Sequence, residues 1–155
     1  MFTFLIKNCT VNEIVSLLTL FDPYSDRPYS FRDDEDNRKW PEKLAANANS
    51  IICYNDKEDV IGCLFFYDNE IALRNQEGYC VFFCVLPDYR RSGIASEMIF
   101  RVKKHLNSKG IPFFKLKCAK SNNAAFSLYK KTGFDVVDDD GRAFTMVSKT
   151  KELLS

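Results

Sequence analysis

The chain has 155 residues, of which 46% are hydrophobic and 28% are charged, so it can bury a sizeable core within one domain. Its 22 basic and 21 acidic residues give a formal net charge of +1, which argues against a protein that coats nucleic acid or an anionic membrane. The 14 Phe, 7 Tyr and 1 Trp residues supply more apolar area than a disordered chain has. We therefore expect one domain spanning residues 1–155.

The six cysteines form no CxxC pair, and His105 is the one histidine in the sequence. Because this spacing matches no zinc pattern, we expect no metal site. We expect six reduced thiols, several of them buried, in a cytoplasmic protein. The N-terminal apolar run lacks the basic segment and cleavage site of a signal peptide, and no segment reads as a transmembrane helix.

The first predicted elements are a strand at 2–6 and a helix after it. Thr10 is a candidate N-cap, and Glu13 three residues later completes a capping box. Apolar residues then recur at helical spacing, at Ile14, Leu17, Leu18 and Phe21.

The middle of the chain predicts one more helix and a hairpin. The segments, in order, are a loop at 22–30, a helix at 33–47, and strands at 50–55 and 60–67. Pro41 is expected at a helix start or at a break in the helical segment. The polar stretch 69–78 has no assignment.

The second half alternates strands and helices and predicts a mixed α/β chain. Its segments are strands at 79–86, 113–117, 134–137 and 143–148 and helices at 93–109 and 122–131. The unbroken apolar run at 79–86 is typical of a central strand buried on both faces. Gly110 and Gly133 are expected to end the two helices, and Asp140-Gly141 predicts a hairpin turn.

The most informative stretch is the passage from the strand at 79–86 into the following helix. Backbone amides at a helix start have no internal acceptor and lie at the positive end of the helix dipole, so they bind phosphate. Gly93 allows close approach of an anion, and Arg90 and Arg91 add charge that suits phosphate. The stretch therefore predicts a pyrophosphate cradle. An ordinary strand–turn–helix in which Gly93 relieves a tight turn is the alternative.

Two signatures together resemble the GNAT superfamily of N-acetyltransferases. The acetyl-CoA signature Q/R-x-x-G-x-G/A is matched by Arg90, Gly93 and Ala95. The downstream signature N-x-x-A-x-x-L-Y-x-K-x-G-F is matched by Asn122, Ala125, Leu128, Tyr129, Lys131, Gly133 and Phe134. The resemblance is specific from about residue 81 to residue 134 and weak before residue 60.

The resemblance implies an α/β (α+β) fold with a mixed, mostly antiparallel central sheet flanked by helices and splayed between the fourth and fifth main strands. It implies acetyl-CoA as co-substrate, with pantetheine pairing to the backbone of Cys84 and Val85. Asn122 and Phe126 would contact the cofactor arm. The pyrophosphate cradle would consist of Arg90, Arg91, Ser92, Gly93, Ile94, Ala95 and Ser96.

The resemblance also implies that Tyr129 is the general acid that protonates the departing CoA thiolate, which suits a hydroxyl beside a sulfur that gains negative charge. The alternative is a core aromatic on an amphipathic helix. Some members of the family carry a Glu on the strand equivalent to 79–86, whereas this run offers Tyr79, Cys80 and Cys84 as its ionisable groups. We expect a water chain to take the amine proton, with Glu70 or Glu77 as relays. Cys84 reads as a packed thiol rather than a nucleophile.

The implied reaction is direct transfer of an acetyl group to a small-molecule amine in a ternary complex. The alternatives are a protein or peptide N-acetyltransferase and a non-catalytic acyl-CoA sensor. We expect no nucleic-acid or membrane partner, while the resemblance leaves a homodimer open. Aromatic residues that line an acceptor pocket or cover the sheet edge are Tyr24, Tyr29, Phe31 and Trp40.

Two groups of polar side chains are interpreted as surface residues. His105 is expected to face solvent near a helix end or to help the negative end of that helix, and no catalytic role is assigned to it. Most of a group of lysines are interpreted as a solvated face, and some could reach the CoA 3′-phosphate: Lys103, Lys104, Lys109, Lys115, Lys117 and Lys120. The acidic run at 33–36 is interpreted as the first turn of a helix, with attraction of a cationic amine as the alternative.

Overall fold

The computed structural model of the protein describes the backbone of residues 1–25 and 34–151 and the side chains of residues 1–25 and 39–151. Its helices and strands are β1 (Thr3–Lys7), α1 (Val11–Phe21), α2 (Asp34–Asn47), β2 (Ala48–Tyr54), β3 (Val60–Tyr67), α3 (Glu70–Asn75), β4 (Glu77–Val85), α4 (Ile94–Ser108), β5 (Phe113–Ala119), α5 (Asn123–Lys131), β6 (Asp135–Asp139) and β7 (Ala143–Lys149). The order matches the predicted order except for α3. The predicted loop at 22–30 begins with a 3₁₀ turn at Asp22–Tyr24. Its residues 26–30, and residue 33 at which the second helix was predicted to start, lie outside the described residues.

Within residues 1–25 and 34–151, seven strands form the sheet, in the order β1-β2-β3-β4-β5-β7-β6. The pairs β1–β2, β5–β7 and β6–β7 are antiparallel, whereas β4 and β5 are parallel. The prediction of a mixed, mostly antiparallel sheet flanked by helices is therefore confirmed. The β4–β5 register aligns Glu77 with Phe113 and Tyr79 with Lys115. The splay of these strands stays a prediction.

The chain divides into two compact units, and β4 contributes to both. The first unit comprises residues 1–66 and 82–94. The rings of Phe21, Trp40 and Phe65 surround the ring of Phe82 in this unit, with centroid distances of 6.3, 6.4 and 6.0 Å. Such tilted aromatic contacts add to the free energy gained from burying the rings.

Helix α1 begins as its sequence predicts. The hydroxyl of Thr10 accepts a hydrogen bond from the Glu13 amide, and the Glu13 carboxylate accepts one from the Thr10 amide. Glu13 also pairs with Lys7. The four predicted apolar positions of the helix are all buried, namely Ile14, Leu17, Leu18 and Phe21.

The prediction for Pro41 was wrong, because α2 runs through this residue. An internal proline removes one hydrogen bond of a helix and normally kinks or ends it. Here Pro41 and Leu44 are both buried, and α2 packs against α1 and β2. We attribute the continued helix to this packing, which offsets the lost hydrogen bond.

Helix α3 is the element that the sequence analysis did not assign. The side chain of Asn69 accepts a hydrogen bond from the Ala72 amide and so caps the first turn. The helix ends at Gln76, which has a left-handed φ of 60°. It has 6 residues, too few to show the apolar repeat by which longer helices are predicted.

The second unit comprises residues 67–81 and 95–155. Helix α4 ends as predicted at Gly110, where the Ile111 amide donates to the Leu106 carbonyl at 3.0 Å. The predicted hairpin between β6 and β7 is also present, with Gly141 at a φ of +92°. Helix α5 packs on β5.

Of the two expectations for His105, exposure to solvent was wrong, whereas its place in the last turn of α4 agrees with a role at the negative end of that helix. Nε2 of His105 lies 2.7 Å from Oδ2 of Asp68, whose side chain is 11% exposed. Lys109 Nζ lies 3.3 Å from the same oxygen and donates to the main-chain oxygen of Asp68. These contacts join the end of β3 to the last turn of α4 within the second unit.

The helices of residues 1–25 and 34–151 include none with the length and apolarity needed to cross a bilayer. Within the same residues, no group of three or more His, Cys, Asp or Glu side chains has an arrangement suited to a metal ion.

Candidate active site

Strand β4 alternates between buried and half-exposed residues, so the expectation of two buried faces was wrong. Gly78, Cys80, Phe82 and Cys84 are buried, whereas Tyr79, Val81 and Phe83 are half-exposed. Alternation of this kind marks a strand with one face in the core. The second face, which begins with Glu77, retains solvent contact.

The end of β4 holds the two residues predicted to pair with pantetheine. Cys84 and Val85 are both 7% exposed. The Cys84 thiol lies 3.7 Å from the main-chain oxygen of Tyr24, as expected of a packed thiol rather than a nucleophile. The main-chain oxygen of Val85 accepts a hydrogen bond from Nε of Arg90 at 2.9 Å.

Tyr89 anchors the loop after β4, a role that the sequence analysis missed. A 3₁₀ turn at Pro87–Tyr89 begins the loop. The Tyr89 hydroxyl accepts a hydrogen bond from Nδ2 of Asn55 at 3.1 Å, and its ring lies edge-on to Phe2 with centroids 6.0 Å apart. Ser92 donates its hydroxyl hydrogen to the Tyr89 carbonyl. The loop is thus held at Tyr89 and Arg90 before it reaches the helix.

Two residues of this loop have left-handed backbone conformations. Arg91 has a φ of 61° and Gly93 a φ of 84°. A β-carbon added at Gly93 would meet nothing within 4 Å, so the glycine is required by its φ and not by crowding inside the protein. The space beside it is open to an approaching anion.

Helix α4 begins directly after this turn. Ile94 is buried, whereas Ala95 and Ser96 in the first turn are half-exposed. The first amides of a helix have no carbonyl acceptor within it and concentrate the positive end of its dipole. With 15 residues, α4 is long enough to form a full macrodipole. The turn and the first turn of α4 therefore present backbone amides that can bind a phosphate group.

Asn122 caps helix α5 in the second unit. Its side-chain oxygen accepts a hydrogen bond from the Ala125 amide at 3.0 Å. This local capping role was not predicted. Phe126, one turn further on, is half-exposed, and its ring centroid lies 5.3 Å from that of Phe144.

Tyr129 lies in the last turns of the same helix and is 8% exposed. Its ring lies edge-on to the ring of Phe134, with centroids 5.6 Å apart. Its carbonyl accepts a hydrogen bond from the Phe134 amide at 2.9 Å, which closes the helix end at Gly133 as predicted. Tyr129 therefore has the burial and the aromatic packing that the alternative interpretation, a core aromatic on an amphipathic helix, requires.

The strand does carry a carboxylate, because β4 starts at Glu77 rather than at residue 79. Glu77 forms a 2.6 Å ion pair with Lys115, whose Nζ lies 5.9 Å from the centre of the Tyr79 ring. The Tyr79 ring stacks on Tyr67 at 6.5 Å, and burial raises the pKa of the Tyr67 hydroxyl. The second proposed relay, Glu70, lies exposed in the first turn of α3.

The four aromatic residues proposed for an acceptor pocket are described in part. Trp40 is half-exposed and packs on Phe82, while Tyr24 is 45% exposed. Tyr29 and Phe31 lie outside the described residues.

The site residues thus belong to two sets. Cys84, Val85 and residues 90–94 lie in the first unit, and Ala95, Ser96, Asn122, Phe126 and Tyr129 lie in the second.

The described residues thus form a mixed sheet whose fourth strand leads through a glycine turn into a helix start, the arrangement of an acetyltransferase-like α/β fold. The chain belongs to the acetyltransferase (GNAT) family, whose model matches residues 12–134. This confirms the resemblance found in the sequence.

Two curated relatives resemble short parts of the chain. A spermidine N(1)-acetyltransferase from Thermoplasma acidophilum is 35% identical over 63 residues, covering 41% of this chain and 39% of the relative. The acetyltransferase SG1711 from Sodalis glossinidius is 36% identical over 61 residues, covering 39% of this chain and 43% of the relative. The chain thus matches about two-fifths of the length of these relatives.

Solved structures share the fold over nearly the whole chain. The PaiA N-acetyltransferase from Thermoplasma acidophilum in complex with coenzyme A has a TM-score of 0.71 at 19% identity, covering 95% of this chain and 99% of that one. A spermidine N-acetyltransferase chimera of Vibrio cholerae SpeG and hSSAT has a TM-score of 0.71 at 15% identity, covering 95% of each chain. Because these sequence identities are below 25%, the similarity shows a shared fold and nothing further about function.

Proposed function

We propose that the protein is an N-acetyltransferase that transfers an acetyl group from acetyl-CoA to a primary amine of a small molecule. The observation that carries this proposal is the turn with left-handed Arg91 and Gly93, which leads into the N-terminus of α4 in a chain of the GNAT family. The proposal assigns the turn to the pyrophosphate of acetyl-CoA. The amides of residues 91–96 donate to its oxygens, and the arginine side chains neutralise its charge.

The remaining cofactor contacts follow the family pattern. Cys84 and Val85 offer their main chain to pantetheine. Because Nε of Arg90 already occupies the Val85 carbonyl, the main-chain groups of Cys84 carry more of this pairing. Asn122 contributes its side-chain amide while its oxygen caps α5, and Phe126 offers its half-exposed ring to the cofactor arm.

The proposed reaction is a direct acyl transfer in a ternary complex. A protonated amine first loses one proton to solvent through water, because an ammonium nitrogen has no free electron pair. The neutral nitrogen then attacks the thioester carbonyl, a C–N bond forms and the C–S bond breaks. The hydroxyl of Tyr129 donates its proton to the departing CoA sulfur, which gains negative charge as the bond breaks. The nitrogen proton leaves through water and restores the tyrosine hydroxyl, so protons and charge balance. Holding both substrates together supplies much of the rate.

The proton relay on the amine side remains part of the proposal. Glu77 is committed to Lys115 at 2.6 Å, so as a base it would first have to give up an ion pair. Glu70 is exposed on α3. We therefore assign removal of the amine proton to a water chain, in which Glu70 or Glu77 serves as a relay and not as the first base.

Spermidine is the first acceptor to test, because two similar proteins carry spermidine acetyltransferase in their names. CoA thiol release from acetyl-CoA would be measured with spermidine, amino sugars, amino acids, an aminoglycoside and peptides with a free N-terminus or lysine. Release that saturates with a small amine is the expected result. Release with peptides alone would overturn the small-molecule assignment in favour of a peptide N-acetyltransferase.

Calorimetric titration with CoA separates the remaining outcomes. If CoA binds with micromolar affinity but no amine releases the CoA thiol from acetyl-CoA, the protein is a non-catalytic acyl-CoA sensor and not an enzyme. Absence of CoA binding by the folded protein would overturn the cofactor assignment.

A further inference from the structure

Lys103 is buried in the second unit, contrary to its assignment as a surface residue. It lies on α4 and is 6% exposed, whereas its neighbour Lys104 is exposed. Placing an ammonium group in a protein interior costs free energy unless nearby dipoles or charges compensate it. A lysine at this depth therefore requires a reason, and its contacts supply one.

The first contact is with the C-terminal end of α5. Lys103 Nζ donates a hydrogen bond to the main-chain oxygen of Thr132, the C-cap residue of that helix. The last carbonyls of a helix carry the negative end of its dipole, so a cation there is stabilised. A β-carbon at Gly133 would lie 3.0 Å from Nζ, and the glycine thus leaves room for the ammonium group.

The second contact is with the ring of Phe134, whose centre lies 5.2 Å from Nζ. This distance is within cation–π range. The same ring packs edge-on against Tyr129, and the Phe134 amide donates to the Tyr129 carbonyl at 2.9 Å. Lys103 thus contacts two groups close to Tyr129. One is the Thr132 carbonyl at the end of α5, and the other is the Phe134 ring, which packs on the Tyr129 side chain.

We infer that Lys103 is a positioning residue for Tyr129, holding the C-terminal turn of α5 and the Phe134 ring so that the Tyr129 hydroxyl reaches the CoA sulfur. The inference rests on the proposed function of Tyr129 as general acid. Lys103 touches no reacting group in this scheme. Its effect passes through Tyr129, and this predicts a specific pattern of non-additivity.

The test compares Lys103→Met with Lys57→Met, which alters an exposed lysine in the turn between β2 and β3, using the amine that gives the fastest CoA release. Methionine keeps the length of the lysine stem and removes the charge and the hydrogen bond. We expect kcat to fall by roughly 5- to 50-fold, since a displacement of about 1 Å at a reacting group costs up to about 100-fold. The CoA dissociation constant should stay within about twofold, and Lys57→Met should match the wild type in both.

The double variant with Tyr129→Phe distinguishes positioning from general stabilisation. If Lys103 acts through Tyr129, Lys103→Met should change kcat by less than about twofold when the hydroxyl is already absent. An equal loss in both backgrounds would overturn the inference while leaving Tyr129 as the acid. Full turnover of Tyr129→Phe would overturn the acid assignment and the inference together.

A measurement independent of turnover covers the remaining cases. In protein with ¹³C-labelled tyrosine rings, the Tyr129 signal is identified by its loss in Tyr129→Phe. It should shift in Lys103→Met while the Tyr24 and Tyr54 signals stay in place. If no amine releases CoA, the tyrosine spectrum alone tests whether Lys103 positions Tyr129. An unchanged Tyr129 signal in Lys103→Met would then overturn the inference. If Lys103→Met does not fold, Phe134→Leu replaces it, with the same expected non-additivity.

Discussion

The side chain of Arg90 donates a hydrogen bond from Nε to the main-chain oxygen of Val85, 2.9 Å away. This contact ties the start of the proposed pyrophosphate loop to the end of β4. It uses one nitrogen of the guanidinium group and leaves the terminal nitrogens available to phosphate, which a planar fork binds in two places. Arg90 thus has a structural bond and a proposed cofactor bond at the same time.

Replacement of Arg90 by lysine should weaken CoA binding although the charge is retained. Lysine has no equivalent of Nε and cannot bond Val85 and phosphate as a fork does. We expect the CoA dissociation constant in calorimetry to rise about tenfold, equivalent to roughly 1.4 kcal/mol for a lost charge-assisted hydrogen bond. The control is Arg101→Lys, in which the altered arginine pairs with Glu97 on α4. Equal affinities for both variants would contradict the role of Arg90.

Substitution of Gly93 by valine separates backbone strain from cofactor binding, because Gly141 offers a matched control. The two glycines have φ values of 84° and 92°, and a β-carbon at either would meet nothing within 4 Å. Both Gly93→Val and Gly141→Val should lower the free energy of unfolding by about 1–2 kcal/mol, the cost of a left-handed residue with a β-carbon. Denaturant titration measures this loss.

CoA affinity should distinguish these two variants. In Gly93→Val the side chain occupies the open space in which the pyrophosphate is proposed to lie, so the dissociation constant should rise at least about tenfold. Gly141→Val should bind CoA as the wild type does. Unchanged affinity in folded Gly93→Val would refute the pyrophosphate assignment of the loop.

The Tyr129→Phe variant tests the general acid directly. Phenylalanine keeps the ring that packs edge-on against Phe134 and removes the hydroxyl alone. We expect kcat to fall by about 100-fold or more, the usual contribution of general acid catalysis, with CoA affinity nearly unchanged. Tyr54→Phe in β2 controls for loss of a tyrosine hydroxyl elsewhere. A thermal unfolding midpoint close to the wild-type value would show that the loss is chemical.

Elements with local signals could be predicted from the sequence. The capping box of Thr10 and Glu13 and the helix end at Gly110 depend on residues three to five positions apart, so neighbouring residues suffice to specify them. Helix α3 escaped prediction because its 6 residues show no apolar repeat. Pro41 was misjudged because the packing that keeps α2 intact is tertiary.

The same distinction between local signals and tertiary contacts applies to the candidate site. Its loop and helix could be located from motif spacing, whereas the partners of its polar groups could not. Lys103 and Thr132 are 29 positions apart, and His105 and Asp68 are 37 positions apart. Only the folded chain brings such residues together, so the sequence did not predict these contacts of Lys103 and His105. The bond from Arg90 to Val85 was also missed, since a motif specifies an arginine but not its partner.

The capping box at the start of α1 should contribute measurably to stability. Thr10→Ala removes the acceptor of the Glu13 amide, and loss of such a cap costs about 1 kcal/mol of unfolding free energy. Thr10→Ser keeps the hydroxyl and should lose much less. Chemical denaturation of the three proteins provides the comparison, and equal midpoints for Thr10→Ala and the wild type would refute the contribution.

The β6–β7 hairpin should make stability depend on pH in the acid range through Asp140. Its carboxylate accepts hydrogen bonds from the amides of Ala143 and Arg142, both at 2.8 Å, and these bonds lower its pKa below the ordinary value of 3.8. Because the folded pKa is depressed, the ionised carboxylate stabilises the fold above the unfolded pKa. That stabilisation is lost as the pH falls through the folded pKa.

Asp140→Asn should therefore lower the thermal unfolding midpoint at pH 7, since the amide oxygen is a weaker acceptor than a carboxylate. The difference from the wild type should shrink once the pH falls below about 3.8, where the wild-type carboxyl begins to gain its proton. The control is Asp138→Asn, whose side chain is exposed on β6 and which should change the midpoint far less at pH 7. A difference for Asp140→Asn that stayed constant from pH 7 to about pH 2 would mean that the amide bonds, and not the charge, account for its effect.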